Sequence, residues 1–203
     1  MAGCNLSLEG LRVIEYGGTV AGPYCAKILA DAGAYVVKVE PPEGNALRQP
    51  AYSYVRKVEC SQESLFQYLN ANKMGVTLNP WDEDGRRLLG RLLSGADILI
   101  WDGYPRLAWA LRFHYRDLKE ENPQLIVTSI TPFGLTGPYR KFKADEFITY
   151  NIGGLAGTTP GLPDHVDDPP NDPPLHPMTP IGDFITGTVA ASATMLAVLS
   201  RER

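Results

Sequence analysis

Cysteine is scarce in this chain. Cys4, Cys25 and Cys60 are the three it has; their odd number and wide spacing argue against a disulfide framework and for a reduced, cytoplasmic setting, with mitochondrial and peroxisomal placements still compatible. Histidine is equally rare. His114, His165 and His176 show no ligand spacing with the cysteines, so no metal site is expected. An excess of positive charge is lacking as well: 19 Lys+Arg against 23 Asp+Glu give a net charge of −4, and nucleic-acid binders usually carry a basic face. Nor does any uninterrupted apolar run reach bilayer length. The opening "MAGCNLSLEG" lacks a basic-then-apolar leader pattern, so neither a nucleic-acid nor a membrane partner is expected.

What is present fits one domain over residues 1–203 with a sizeable core, 44% of residues being apolar and 21% charged. "LRVIEY" (11–16) is an apolar run of strand type, followed by the glycine-rich "GGTVAGP". Pro23 suits the first turn of a helix, Tyr24, Cys25, Ile28, Leu29 and Ala32 fall on one helical face, and Gly33 suits its C-terminal cap. "AYVVKVE" (34–40) then gives a second, parallel strand. Further strands are read at 74–79, 97–102 and 124–131, with helices at 82–96, at "YRDLKEENP" and at 188–199. Strands alternating with helices predict an α/β fold, a Rossmann-like parallel sheet with helices on both faces.

The first turn raises a dinucleotide site, since a strand, a glycine-rich turn, a helix and a second strand ending in the acid Glu40 follow one another. Gly17, Gly18 and Gly22 do not form G-x-G-x-x-G, however, and the glycines have a plainer use in letting the helix approach the strand. Eight of the 17 prolines crowd into 160–180. That stretch cannot be helix or central strand, and reads as a long loop leading to Asp183. By position alone, Asp183 is either a helix N-cap or a nucleophile.

The blocks "LEGLRVIEYGGTVAGPYCAKILADAGAYVVKVEPPEGNALR", "NANKMGVTLN", "GRRLLGRLLSGADILI", "LKEENPQLIVTSITPFGLTGPY", "GGLAGTTPG" and "IGDFITGTVAASATMLAVLSRE" resemble, in order, the N-terminal half of the class III CoA-transferase (CaiB/BaiF) family, which includes formyl-CoA transferase and α-methylacyl-CoA racemase. The resemblance implies a CoA-binding domain. It also implies that a small domain and a C-terminal return segment, present in chains about twice as long, are absent from this one. No permanently bound cofactor is implied; coenzyme A or acyl-CoA would be the substrate and a carboxylic acid the acceptor. Asp183 matches the family's nucleophile, which takes the acyl group as a mixed anhydride and then CoA as a thioester. Helix N–H groups would keep that carboxylate ionised, and Gly182 and Gly187 would leave room for a thioester.

For CoA the resemblance implies contacts from Val20, Ala21, Leu78, Asn79, Asp102, Gly103, Tyr104 and the run Lys143, Ala144, Asp145 and Glu146, at the carboxyl ends of the first, second and third strands. Arg48, Lys73, Arg106, Arg112 and Lys143 are the candidate phosphate cations. Racemases of the family carry a His-Asp couple near here. Ala144 stands at the histidine position, with Asp145 after it, which favours CoA transfer over α-proton exchange. Pro41 and Ala110 replace arginines of the formyl-CoA transferases, so formyl and oxalate specificity is not implied. The alternatives are an acyl-CoA racemase or epimerase, and a CoA-binding or scaffold half without turnover of its own. A homodimer, or association with the missing half, is expected.

Overall fold

The computed structural model describes residues 6–48, 63–113, 115–158, 176–177 and 179–201. Cys4, Cys60, His114, His165 and most of the proline-rich stretch lie outside the described residues. Five strands form the sheet: β1 (Arg12–Tyr16), β2 (Tyr35–Glu40), β3 (Met74–Thr77), β4 (Ile98–Asp102) and β5 (Ile126–Ile130). All pair in parallel, in the order β3-β2-β1-β4-β5. The helices are α1 (Ala21–Asp31), α2 (Glu63–Asn70), α3 (Glu83–Ser94), α4 (Pro105–Ala110), α5 (Tyr115–Glu121), α6 (Glu146–Ile152) and α7 (Ile181–Arg201). The expected α/β architecture is therefore the one observed.

Side chains alternate across a strand, and here they divide two cores. Ile14, Tyr16, Leu99 and Trp101 join Leu89, Leu93, Phe113 and Leu118 on the α3–α5 side. Val13, Val36, Ile98 and Ile100 join Cys25, Leu29, Ala191 and Val198 on the side of α1 and α7. Glu15 falls on this second face too, wholly buried, and the register sets it directly beside Lys38 of β2. Their Nζ–Oε1 distance is 2.5 Å, and Lys73 Nζ reaches the other Glu15 oxygen at 2.6 Å. The paired ammonium groups hold the Glu15 carboxyl below the usual range against the opposing effect of burial.

Local signals explain several boundaries. Gly33, just past the C-cap of α1, has φ +106°, a conformation that favours glycine. Asp82 caps α3, its side chain accepting from the Gly85 N–H at 2.6 Å, with Glu83 and Asp84 in the first turn. One boundary differs from expectation: α7 starts at Ile181, not 188. It is also long and apolar enough, by length and composition, to cross a membrane, although no uninterrupted apolar run in the sequence signals this. In the fold it lies against α1, with Gly187, Ala191, Thr194 and Val198 buried and the Thr194 hydroxyl 2.6 Å from that of Thr128 on β5.

Candidate active site

In a doubly wound sheet, the crevice opens beyond the carboxyl ends of the strands where the winding reverses. The reversal lies between β1 and β4, and a cleft of about 390 Å³ sits there. It is lined from the end of β1 by Thr19 and Ala21, from β4 by Gly103 and Tyr104, from β5 by Ile130, Thr131 and Pro132, and from α6 and α7 by further residues, including Glu146 and Asp183. The second and third strands, expected to border it, do not contribute to its lining.

The glycine-rich β1–α1 turn has a use that its sequence did not disclose. It wraps a carboxylate of the protein itself. Asp102, buried at the end of β4, accepts the Gly18 N–H at 2.7 Å, the Thr19 N–H at 3.2 Å, the Thr19 hydroxyl at 2.5 Å and the Gly22 N–H at 3.1 Å. A Cβ on Gly17 would stand 1.8 Å from Asp102 Oδ1, and one on Gly22 would stand 2.5 Å from Oδ2. These two glycines are thus required by the approach of β4. The cradle that holds a pyrophosphate in dinucleotide-binding folds is filled from within. Glu40, the other expected mark of such a site, is also engaged, by Arg48 and by the Asn45 N–H.

Asp183 lies in the first turn of α7, as its third residue, not at the N-cap. The start of that helix is fixed by packing, Phe184 meeting Tyr24 edge-on with ring centroids 4.7 Å apart. Burial pushes the Asp183 carboxyl up to about 7, and the charges of Glu146 and Asp102 push the same way, against a hydrogen bond from the backbone of Val20. The expectation that the helix N-terminus alone keeps it ionised is therefore corrected. Burial and two neighbouring carboxylates outweigh the helix N-terminus, and the group changes charge near neutrality.

The flanking glycines also have a different use from the expected one. A Cβ on Gly182 would come within 2.7 Å of Glu146 Oε1, and one on Gly187 within 2.7 Å of the Ala21 carbonyl. They admit a neighbouring acid and a neighbouring helix, so the room they provide is already taken. Glu146 accepts the Gly182 N–H at 2.8 Å and pairs through its other oxygen with His176. Asp145 caps α6 by accepting from the Ile148 N–H at 3.1 Å, and Tyr104 donates to the Ala144 carbonyl at 3.1 Å, tying two walls of the cleft together.

Of the residues expected at the site, the fold thus gathers Ala21, Gly103, Tyr104, Ala144, Asp145, Glu146 and Asp183. Others are placed elsewhere. Val20 is buried with Leu47 and Leu69. The Asp102 carboxylate lies beneath the β1–α1 loop. The ammonium group of Lys73 is closed into the pair with Glu15, where burial pulls it down to about 8. Arg48 is held by Glu40 and lies 3.7 Å from the centroid of the Phe66 ring. Leu78 is buried and Asn79 accepts from the Trp81 N–H, both beyond the edge strand β3. Arg106, Arg112 and Lys143 are exposed. Thr19, Ile130, Thr131, Pro132, Thr149 and Thr186 complete the lining without having been singled out in sequence. The strand-end rule alone could have pointed to those after β5. No cluster of three or more metal-ligating side chains occurs among the described residues.

A parallel α/β domain with a titrating carboxylate in the crevice at its switch point defines the class. The description "CoA-transferase family III" matches residues 8–203, and the chain belongs to that family. It is 34% identical over 196 residues to a formyl-CoA:oxalate CoA-transferase of Streptomyces coelicolor, covering 97% of this chain and 45% of that one. To the enzyme of the same description from Escherichia coli O6:H1 it is 32% identical over 197 residues, covering 97% and 44%. A CAIB/BAIF family protein from Brucella suis superposes with a TM-score of 0.83 at 33% identity, covering 98% of this chain and 50% of that one. The chain therefore spans about half the length of these relatives.

Proposed function

We propose that this chain carries the acyl- and CoA-accepting half of a CoA-transferase, with Asp183 as the carrier. The observation that supports this most is the placement of Asp183, part-buried in the switch-point cleft and titrating near neutrality. In the proposed sequence, an Asp183 oxygen attacks the thioester carbonyl of an acyl-CoA. The C–S bond breaks, leaving an acyl-aspartyl anhydride and CoA thiolate. The thiolate attacks the Asp183 carbonyl, releasing the donor acid as a carboxylate and leaving an aspartyl-CoA thioester. An acceptor carboxylate attacks that thioester, and the returning thiolate takes the new acyl group, regenerating Asp183. Each step exchanges one acyl bond for another, so no oxidant or net proton is needed.

In this reading Ala21, Gly103, Tyr104 and Ala144 offer contacts to the CoA chain. Lys143 and Arg106, exposed on segments that border the cleft, face its phosphates. An α-proton exchange would require a second base opposite Asp183. Ala144 supplies none, Asp145 is occupied as a cap, and His176 is held by Glu146. Homologues described as formyl-CoA:oxalate CoA-transferases make short acids candidate donors and acceptors.

The test is transfer from a labelled acyl-CoA to a carboxylate by the protein and by its Asp183→Asn variant. Loss of transfer with retained CoA binding supports the assignment. Equal turnover by both proteins rejects it, and deuterium exchange at the acyl α-carbon without transfer selects the racemase.

A further inference from the structure

The transfer chemistry above leaves His176 without a task. Its position is defined nonetheless. The ring meets Tyr150 with centroids 5.1 Å apart and Phe147 at 5.6 Å, and its Nε2 pairs with Glu146 Oε2. A carboxylate can only accept, so the imidazole donates. Glu146, 8% exposed, spends its other oxygen on the N–H of Gly182, the residue before Asp183. The Gly182 position has no space for a Cβ beside that oxygen. One carboxylate is therefore fixed at both ends, to the turn carrying Asp183 and to His176.

We propose that His176 is a positioning residue which lets the Glu146 and Asp183 carboxylates stand ionised together in one cleft. This role rests on the reading of Asp183 as the carrier. Two carboxylates close together and largely buried resist double ionisation and share their protons as a pair. The groups acting on Asp183 are Glu146 from α6, Asp102 from the end of β4 and the backbone of Val20; Asp145 lines the same cleft with its carboxylate turned to the Ile148 N–H. Two of the three groups acting on Asp183 are acids. A donor on the far oxygen of Glu146 draws negative charge away from Asp183 and stabilises the doubly ionised state above all. Without it the upper protonation step of the pair moves to higher pH, whichever of the two acids holds the proton. The nucleophile would then be neutralised at the pH where it must act.

The experiment is a carbon-detected NMR titration of the chain labelled with 13C at its Asp and Glu carboxyls, with Asp183→Asn and Glu146→Gln giving the assignments. His176→Phe keeps a ring between Phe147 and Tyr150 and removes the donor. It should raise the upper step of the pair by about one pH unit, as expected for a lost hydrogen bond to a charged group. His176→Gln, which retains an N–H, should restore at least half of that difference. In the Glu146→Gln background, His176→Phe should leave the Asp183 midpoint in place. An unchanged upper step in His176→Phe, or an equal shift in both backgrounds, overturns the proposal. Should the phenylalanine variant not fold, His176→Ala with and without added imidazole makes the same comparison: imidazole should lower the step, and no response overturns the role. No turnover is required, so the result stands apart from the test of the carrier.

Discussion

Asp183→Asn should make the domain more stable above neutral pH, although it removes the proposed carrier. The Asp183 carboxyl titrates at about 7 in the fold against an ordinary value of 3.8, with burial the largest cause and Glu146 and Asp102 next. Its folded-state value lies above that of the unfolded chain. The favourable contribution of the protonated acid is therefore complete below about pH 4 and is lost as the pH rises through 7. A gap of about three pH units corresponds to at most about 4 kcal/mol at pH 8, and the side chain is open to the cleft on one side. Solvent screening and relaxation reduce the expected effect to about 1–3 kcal/mol. Asparagine has the same shape and never ionises. In urea unfolding, the two proteins should differ by less than about 1 kcal/mol at pH 4.5, and the variant should be the more stable at pH 8 by the larger margin, with a melting temperature higher by several degrees. A variant equally or less stable at pH 8 would refute the account of how burial and like charge act on this carboxyl.

Other outcomes follow from the same structure. Replacing Lys143 and Arg106 together by alanine should weaken CoA binding, about tenfold, and the deficit should shrink in high salt, as read by titration calorimetry; unchanged affinity removes these residues from phosphate binding. Asp102→Ala leaves the N–H groups of Gly18, Thr19 and Gly22 without their acceptor, and should cost about 3 kcal/mol or more in chemical denaturation; a loss under about 1 kcal/mol contradicts the cradle's structural role. The outer face of α7 exposes Ile185, Val189, Leu196 and Leu199, and light scattering on this chain alone should show association rising with concentration. A monodisperse 22.2 kDa species that binds no hydrophobic dye would oppose that expectation.

The β1–α1–β2 unit could be read from sequence because its signals are local: an apolar run, a proline in the first turn, a glycine past the last. The short helices α2, α4 and α6 carry too few turns for periodicity to mark them, and they form through tertiary contact; α5, of similar length, is legible through the proline that stops it. The start of α7 is hard to read from sequence because Gly182, Asp183 and Gly187 interrupt its apolar pattern. The fold supplies the reasons for all three, in Glu146, the cleft and α1. Charged residues were the least readable. Lys73 and Arg48 looked like phosphate ligands, but strand register and the chain after β2 bring each to a carboxylate. Asp102 reads as a site residue, whereas its partners, four groups of the β1–α1 turn and the first turn of α1 some 80 residues earlier, become visible only once β4 lies beside β1. His176 sat in a proline-rich stretch whose pattern says loop and nothing of Glu146.

The central claim is that Asp183 carries the acyl group. Incubating the protein with an acyl-CoA, adding hydroxylamine and mapping peptides by mass spectrometry tests it directly, because an anhydride or thioester on a carboxylate is converted to a hydroxamate. The account predicts a hydroxamate on Asp183 that requires acyl-CoA and forms faster as the pH rises through 7. Transfer proceeding with Asp183 unmodified, or with the hydroxamate on another residue, would contradict it.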